Sequence, residues 1–296
     1  MLAWATFLLI VAGALVTSND AGLSVPDWPT SFGSLYKIPL LVGGVKYEHT
    51  HRMIAEFIGL LIIVMAVWTQ RVETRKWMRV LGWTALVAVI GQGVLGGLTV
   101  LNLLPWTIST AHATLAQTIF CAVVAMALFT SRNWIEDVPP VAEHNLTLST
   151  PTLTALTASC VWIQLILGAA FRHTGIKLLP HLIGAGVVTA LLCWTVVRVL
   201  TRYGSVAHLR KPAELVLALL MIQLGLGFAA YLTRLQWMAD PPQPVTGIVI
   251  STVSHVAGGA LVLATSVVLA IQSRRMIQAQ ASEAVVHAAP HKAATA

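Results

Sequence analysis

The sequence predicts an all-α polytopic membrane protein, with eight transmembrane helices arranged as two pseudo-twofold related four-helix bundles. Three observations lead there. Of 296 residues, 57% are hydrophobic and only 10% are charged, whereas a soluble domain carries about 25% charged residues. The apolar residues gather into eight runs, each near the length of about 20 residues that a hydrocarbon core requires. A polar element also recurs four runs apart. This balance excludes a disordered chain, a secreted disulfide scaffold and a water-soluble enzyme.

The runs cover residues 1–18, 50–69, 79–101, 107–130, 152–172, 179–200, 213–234 and 247–272. The first has no basic start and no small-x-small site at its end, so it is expected to be an uncleaved helix rather than a signal peptide. Cys121, Cys160 and Cys193 lie inside runs with no Cys-x-x-Cys spacing, which reads as buried apolar side chains. Trp68, Trp77, Trp106, Trp134 and Trp237 fall near run ends, where an indole keeps its ring among headgroups. The remaining residues, 273–296, with His287 and His291 in an Ala-rich stretch, read as a mobile tail.

The net charge of +7 resolves by position. Twelve of the 18 Lys and Arg lie on alternate connections: Arg71, Arg75, Lys76 and Arg79; Arg132; Arg198, Arg202, Arg210 and Lys211; and Arg274, Arg275 and Lys292 of the tail. The other connections and adjoining helix ends hold six. The positive-inside rule then puts both termini in the cytoplasm, in the cell's inner (plasma) membrane, with the odd-numbered loops outside. No basic stretch is interleaved with stacking aromatics, so the charge orients helices and does not bind nucleic acid.

Gln92-Gly-Val-Leu-Gly96, Gln164-Leu-Ile-Leu-Gly168 and Gln223-Leu-Gly-Leu-Gly227 place a Gln-x-x-Leu-Gly element on the third, fifth and seventh runs. Gly13-Ala-Leu-Val-Thr at the end of the first run parallels Gly168-Ala-Ala-Phe-Arg. Four crossings return a chain to its starting side, so duplication gives two repeats of one orientation. The expected division is residues 1–130, a cytoplasmic linker 131–151, residues 152–272 and the tail. The glycines alone read as close helix packing, and the glutamines as bonds between helices.

Four of the ten histidines, His51, His112, His181 and His255, lie on the even-numbered runs, two to eight residues inside the outer boundary. At a rise of about 1.5 Å per residue they share a layer roughly 3–12 Å below the outer interface. A buried imidazole must be neutral, paired or metal-bound, and an ionisable group in a membrane helix is a functional-site candidate. Two on neighbouring helices suit axial coordination of a porphyrin iron, whose macrocycle fills the apolar space between them. Zinc would call for further ligands, and only Glu48 is near in sequence. Glu48 shares a helical face with His51; it reads either as a carboxylate beside the first porphyrin or as a residue capping the helix start. Arg52 and Glu56 are spaced to pair, while Arg52, Arg172 and Arg234 at outer helix ends could instead meet haem propionates.

Together, Gly22-Leu-Ser-Val-Pro-Asp-Trp-Pro29, Glu48-His-Thr-His-Arg52, Thr110-Ala-His112, Arg172-His-Thr-Gly175, Pro180-His181 and Ser254-His255 resemble the haem A synthase family over roughly residues 1–272. The resemblance implies that the N-terminal unit binds the substrate haem O through His51 and His112, and that the C-terminal unit binds a haem b cofactor through His181 and His255. It implies oxidation of the C8 methyl of haem O, through a hydroxymethyl and a gem-diol with water as oxygen source, to the formyl of haem A for cytochrome oxidases. Glu48 would then stabilise developing positive charge or accept a proton. His49 and His173 match positions adjoining the site. Implied partners are lipid, haem O synthase and oxidase subunits, and another copy of the chain. The family's paired outer-loop cysteines have no counterpart: Thr30 and Ser31 follow Pro29, so a thiol step is excluded. Two competing classes remain, a dihaem cytochrome b that only carries electrons and a transporter with parallel repeats. The first usually pairs histidines in both leaflets, and the second places polar groups near the midplane.

Overall fold

The computed structural model describes residues 1–135, 140–143, 146–237 and 244–279. Its long helices are α1 (Leu2–Ser18), α2 (Val45–Val72), α3 (Lys76–Leu101), α4 (Trp106–Phe129), α6 (Thr150–Arg172), α7 (Leu178–Tyr203), α8 (Ala207–Tyr231) and α9 (Thr246–Met276). A four-residue helix α5 (Arg132–Ile135) opens the central connection, and a π-helical turn, Leu232–Trp237, continues α8. Seven of these helices are long and apolar enough to cross a membrane. The first expected span falls short of that measure: α1 has 17 residues, about 25 Å of helix against a hydrocarbon core of about 30 Å. Six of the eight expected runs lie inside longer helices, that at 213–234 counting the π-helical turn that continues α8, because hydropathy detects the apolar part while helical hydrogen bonding continues into the polar margins. His287 and His291 lie outside the described residues.

Local chemistry sets the helix ends. Ser149 caps α6, accepting from the Thr152 N–H at 3.3 Å with Pro151 in the first turn, as expected for a start that has spare N–H groups. Before α3, Glu73 accepts from the Arg75 N–H at 2.9 Å and from its guanidinium at 2.7–2.9 Å. Arg75, first by its side-chain hydrogen bond, holds that carboxyl down at about 2. The C-terminal ends of α1, α3 and α6 close alike, with N–H groups of Ala21, Leu104 and Gly175 reaching back five residues to the carbonyls of Val16, Thr99 and Ala170 at 2.7–2.9 Å. This closure needs a left-handed residue, supplied without glycine by Asp20 (φ 49°), Leu103 (φ 58°) and Thr174 (φ 63°).

Helices α1 to α4 pack in a ring, each on the next with α4 against α1, and α6 to α9 do the same. The rings meet through α1 on α9, α4 on α6 and α4 on α9. Ile58, Ile62, Ile119 and Val123 fill the first ring, with Leu192, Val196, Val216 and Leu263 among those filling the second, and Ile10, Phe120, Ala260 and Ala264 lie where the rings meet. Buried hydroxyl pairs add polar bonds between helices: Thr157 with Thr195 at 2.7 Å and Ser18 with Thr252 at 2.8 Å. On the Arg-rich side, Trp77, Phe129 and Trp134 stack edge to face, with Arg75 over Trp77 and Arg275 over Trp134.

Residues 273–276 complete α9, and Ile277–Ala279 (β2) pairs in parallel with Val141–Glu143 (β1) of the central connection. This gives structure to the first residues of the segment expected as a loose tail. Glu143 is buried there, accepting from the Thr150 N–H and, at 2.8 Å, from the Tyr203 hydroxyl.

Candidate functional site

Each of the four histidines lies on the second helix of a pair, against a glycine of the first. A Cβ added to Gly13 would stand 3.1 Å from Cε1 of His51, and one on Gly96 3.0 Å from that of His112. At Gly168 and Gly227 the distance to Cε1 of His181 and of His255 would be 2.9 Å. Side chains rarely or never approach so closely, so each glycine is a cradle that only a hydrogen fits. Packing of helices, the reading these glycines allow on their own, is thus packing onto an imidazole.

A glutamine one turn from the glycine holds three of the four rings. Gln164 donates its amide to the His181 carbonyl at 2.8 Å and lies 3.0 Å from Nδ1. Gln223 does the same to His255, at 3.1 Å in both contacts. Gln92 donates to the His112 carbonyl at 3.0 Å, with Nε2 of that ring 3.4 Å away. Gly184 and Gly258 make room for Gln164 and Gln223, since a Cβ at either would stand 2.1 and 2.3 Å from the glutamine Oε1.

The rings come together in the expected pairs. His181 and His255 have centroids 6.3 Å apart and planes at 90°, with Phe171 stacked beside His181. Metal–imidazole bonds are about 2 Å long and the donor nitrogen is on the near edge of its ring, so two imidazoles trans on one metal have centroids about 6 Å apart. The pair fits a six-coordinate iron. His51 and His112 are within electrostatic reach of each other, and Nδ1 of both is buried without a hydrogen-bond partner. Among the described residues, no three His, Cys, Asp or Glu converge as a metal-binding group, so these are pairs and not a zinc-like cluster.

Glu48 is buried at the base of the first outer connection. Its Oε2 accepts from the Val25 N–H at 2.8 Å and its Oε1 from Arg52 at 2.7 Å. Arg52 also donates to the backbone carbonyls of Asp27, Thr30 and Val25 at 2.7–3.1 Å. The expected Arg52–Glu56 pair is therefore replaced by Arg52–Glu48, and the Arg52 guanidinium is committed to the loop. Glu56 faces outward on α2. The loop turns on Asp27, which accepts from the Thr30 hydroxyl and from the Phe32 and Gly33 N–H groups. Burial pushes this carboxyl up, but the hydrogen bonds outweigh it and hold it at about 2. His49 is buried with Nδ1 3.1 Å from the Ser31 hydroxyl. Arg172 reaches from α6 to α1, donating to Ser18 Oγ at 2.6 Å and to the Ala14 carbonyl at 3.3 Å. Arg234, exposed on the π-helical turn, lies within electrostatic reach of Arg172. His173, just past α6, lies within reach of both Arg172 and His112.

Residues 45–179 match a family model described as cytochrome oxidase assembly protein. Curated proteins named haem A synthase are similar over parts of the chain. The relative from Lysinibacillus sphaericus is 35% identical over 97 residues, 32% of this chain and 31% of its own length. That from Dinoroseobacter shibae is 32% identical over 129 residues, 39% and 32% of the two chains. That from Shouchella clausii is 28% identical over 176 residues, 58% and 56%. Over these segments the chain is similar to proteins named haem A synthase.

The chain spans about a third to just over half the length of these curated haem A synthases. The family match includes Glu48, His51, Arg52, His112, Arg172 and His173 and ends two residues before His181. The geometry at His181 and His255 is thus an observation on this chain in its own right. Sequence reasoning singled out the histidines and Glu48 and expected the glutamines to bond between helices, as they do, but it did not show that their partners are the histidines, and it missed the Asp27 turn. The glutamine signal was present, since each Gln lies four residues before a cradle glycine, but nothing in one helix shows which residue of the next it will face.

Proposed function

We propose that the chain converts haem O to haem A in the plasma membrane, holding the substrate through His51 and His112 and a haem b cofactor through His181 and His255. The observation that carries this reading is that two histidine pairs are built alike while only one has a buried carboxylate three residues from its ligand. A site that only carries electrons has no use for Glu48.

The reaction is a four-electron oxidation in which R–CH3 and H2O give R–CHO, four protons and four electrons. Haem b, when bound, supplies a one-electron redox centre. Glu48 accepts a proton and stabilises positive charge that develops on the substrate as the methyl is oxidised. Val25 and Arg52 keep its oxygens aimed from the loop side, so the carboxylate is placed before substrate arrives. Arg172 and Arg234 supply positive charge at the outer end for the substrate and cofactor carboxylates. His49, fixed on Ser31, and His173, between the halves, lie beside the ligands.

The architecture proposed with this function is eight crossings in two pseudo-twofold units, 1–130 and 152–272, with both termini cytoplasmic and the haems near the outer face. Its support is that exchanging α1–α4 for α6–α9 maps every helix neighbour described above onto another. α1, though short, supplies the Gly13 cradle to His51. Haem O synthase, cytochrome oxidase subunits and a second copy of the chain are the partners this role would call for.

The test is to purify the protein from cells that make haem O, extract its pigment and identify it by mass spectrometry. Haem B together with haem O or haem A is expected. A colourless protein, or haem B alone from such cells, would overturn the proposal.

A further inference from the structure

The four histidine sites differ in one respect that their common plan makes visible. At His112, His181 and His255 a glutamine four residues before the cradle glycine donates to the carbonyl of the histidine and lies against its ring, at Nε2 of His112 and at Nδ1 of His181 and His255. In α1 the equivalent position, four before Gly13, is Leu9, which packs among the apolar residues of the first ring. Nδ1 is buried with no partner in His51 and His112 alike, and what sets His51 apart is an apolar side chain where the others have a glutamine. Oε1 of Gln92, Gln164 and Gln223 is buried without a partner as well. The group that orients a ligand histidine also tunes it. In three sites a glutamine donates to the backbone carbonyl of the histidine and is seated against its ring.

We propose that Gln92, Gln164 and Gln223 are positioning residues for the haem-ligating imidazoles, and that Leu9, by leaving His51 unclamped, makes it the ligand that lets go. This rests on the haem-site reading above and extends it. The C-terminal pair, clamped on both sides, retains its haem. The N-terminal pair, clamped only at His112, opens at His51 to take up substrate and discharge product.

The experiment follows transfer of haem from the loaded full-length protein in lipid nanodiscs to excess apomyoglobin by absorbance, with electron paramagnetic resonance of the oxidised protein as a second readout. Gln164→Leu and Gln223→Leu should speed loss of the C-terminal haem about tenfold or more and shift its low-spin g-values, in line with the 10–100-fold effects of removing a ligand's supporting bond. Leu9→Gln should slow loss of the N-terminal haem about tenfold. Gln223→Glu keeps the size but cannot donate to the His255 carbonyl, so it should speed haem loss as the leucine variant does. That variant decides the matter if the leucine variants do not fold. Transfer rates and g-values equal to wild type in the leucine variants and Leu9→Gln, or haem retained as in wild type by Gln223→Glu, would overturn the proposal while the haem sites stand. A wild-type protein without a bis-histidine haem spectrum would overturn the underlying reading instead.

Discussion

The two halves of the molecule share a plan and differ in what is attached to it. His51 of α2 corresponds to His181 of α7, but three residues earlier the first half has Glu48 where the second has Leu178, and one residue later Arg52 where the second has Leu182. The connection before His51 runs over residues 19–44 and folds back onto Glu48 and Arg52, whereas the one before His181 is the short stretch 173–177. One half thus carries a buried carboxylate under a loop and one unclamped ligand, while the other carries apolar residues and two clamps. On the proposed reading, both halves keep a frame for holding haem and one of them adds the chemistry.

The sharpest way to break this comparison is Glu48→Ala. Haem A formation should fall at least a hundredfold, within the range of about 10²–10⁴ for losing a general base, while bound haem measured by absorbance is retained. Normal haem A yield would remove the chemical difference between the halves. The counterpart, Leu178→Glu, should create no activity, because no loop aims a carboxylate there.

Filling a cradle comes next. Gly168→Val and Gly227→Val should each cost about 1–3 kcal/mol of stability by overpacking and lose the C-terminal haem band, whereas Gly93→Ala, with no atom within 4 Å of the added carbon, should leave the spectrum unchanged. Arg52→Leu should loosen the outer loop without expelling haem, read as faster cleavage between residues 19 and 44 by added protease. The smallest effect is a pH dependence. Asp27 ionises at about 2 in the folded loop, below the roughly 3.9 of a free aspartate, so its contribution to loop stability is full above about pH 4 and disappears as pH falls through 2. Protease sensitivity of the loop should rise over that window and be pH-independent there in Asp27→Asn.

Much of this was legible in the chain because membrane helices announce themselves. The hydrocarbon core forces long apolar runs, so seven of the eight expected spans are matched by helices long and apolar enough to cross a membrane, with margins that run further, as α7 does to Tyr203 and α9 to Met276. The four histidines stood out because imidazoles are costly in lipid. The pairing of Arg52 with Glu48 was not legible. Both Glu48 and Glu56 lie four residues from Arg52, and the choice is made by backbone carbonyls of a loop that arrives from residues 25–30. The strand pairing of 141–143 with 277–279 was hidden for the same reason, since each segment is too short to declare a structure without the other.

The reach of Arg172 from α6 to Ser18 and Ala14 of α1 has a consequence for biogenesis. During synthesis the first four helices enter the bilayer with acceptors waiting for a cation that has not been made. The fifth long helix then arrives with a guanidinium that lipid cannot solvate. Neither half is therefore a finished product, and a gene cut in the central connection should give fragments that survive only when made together.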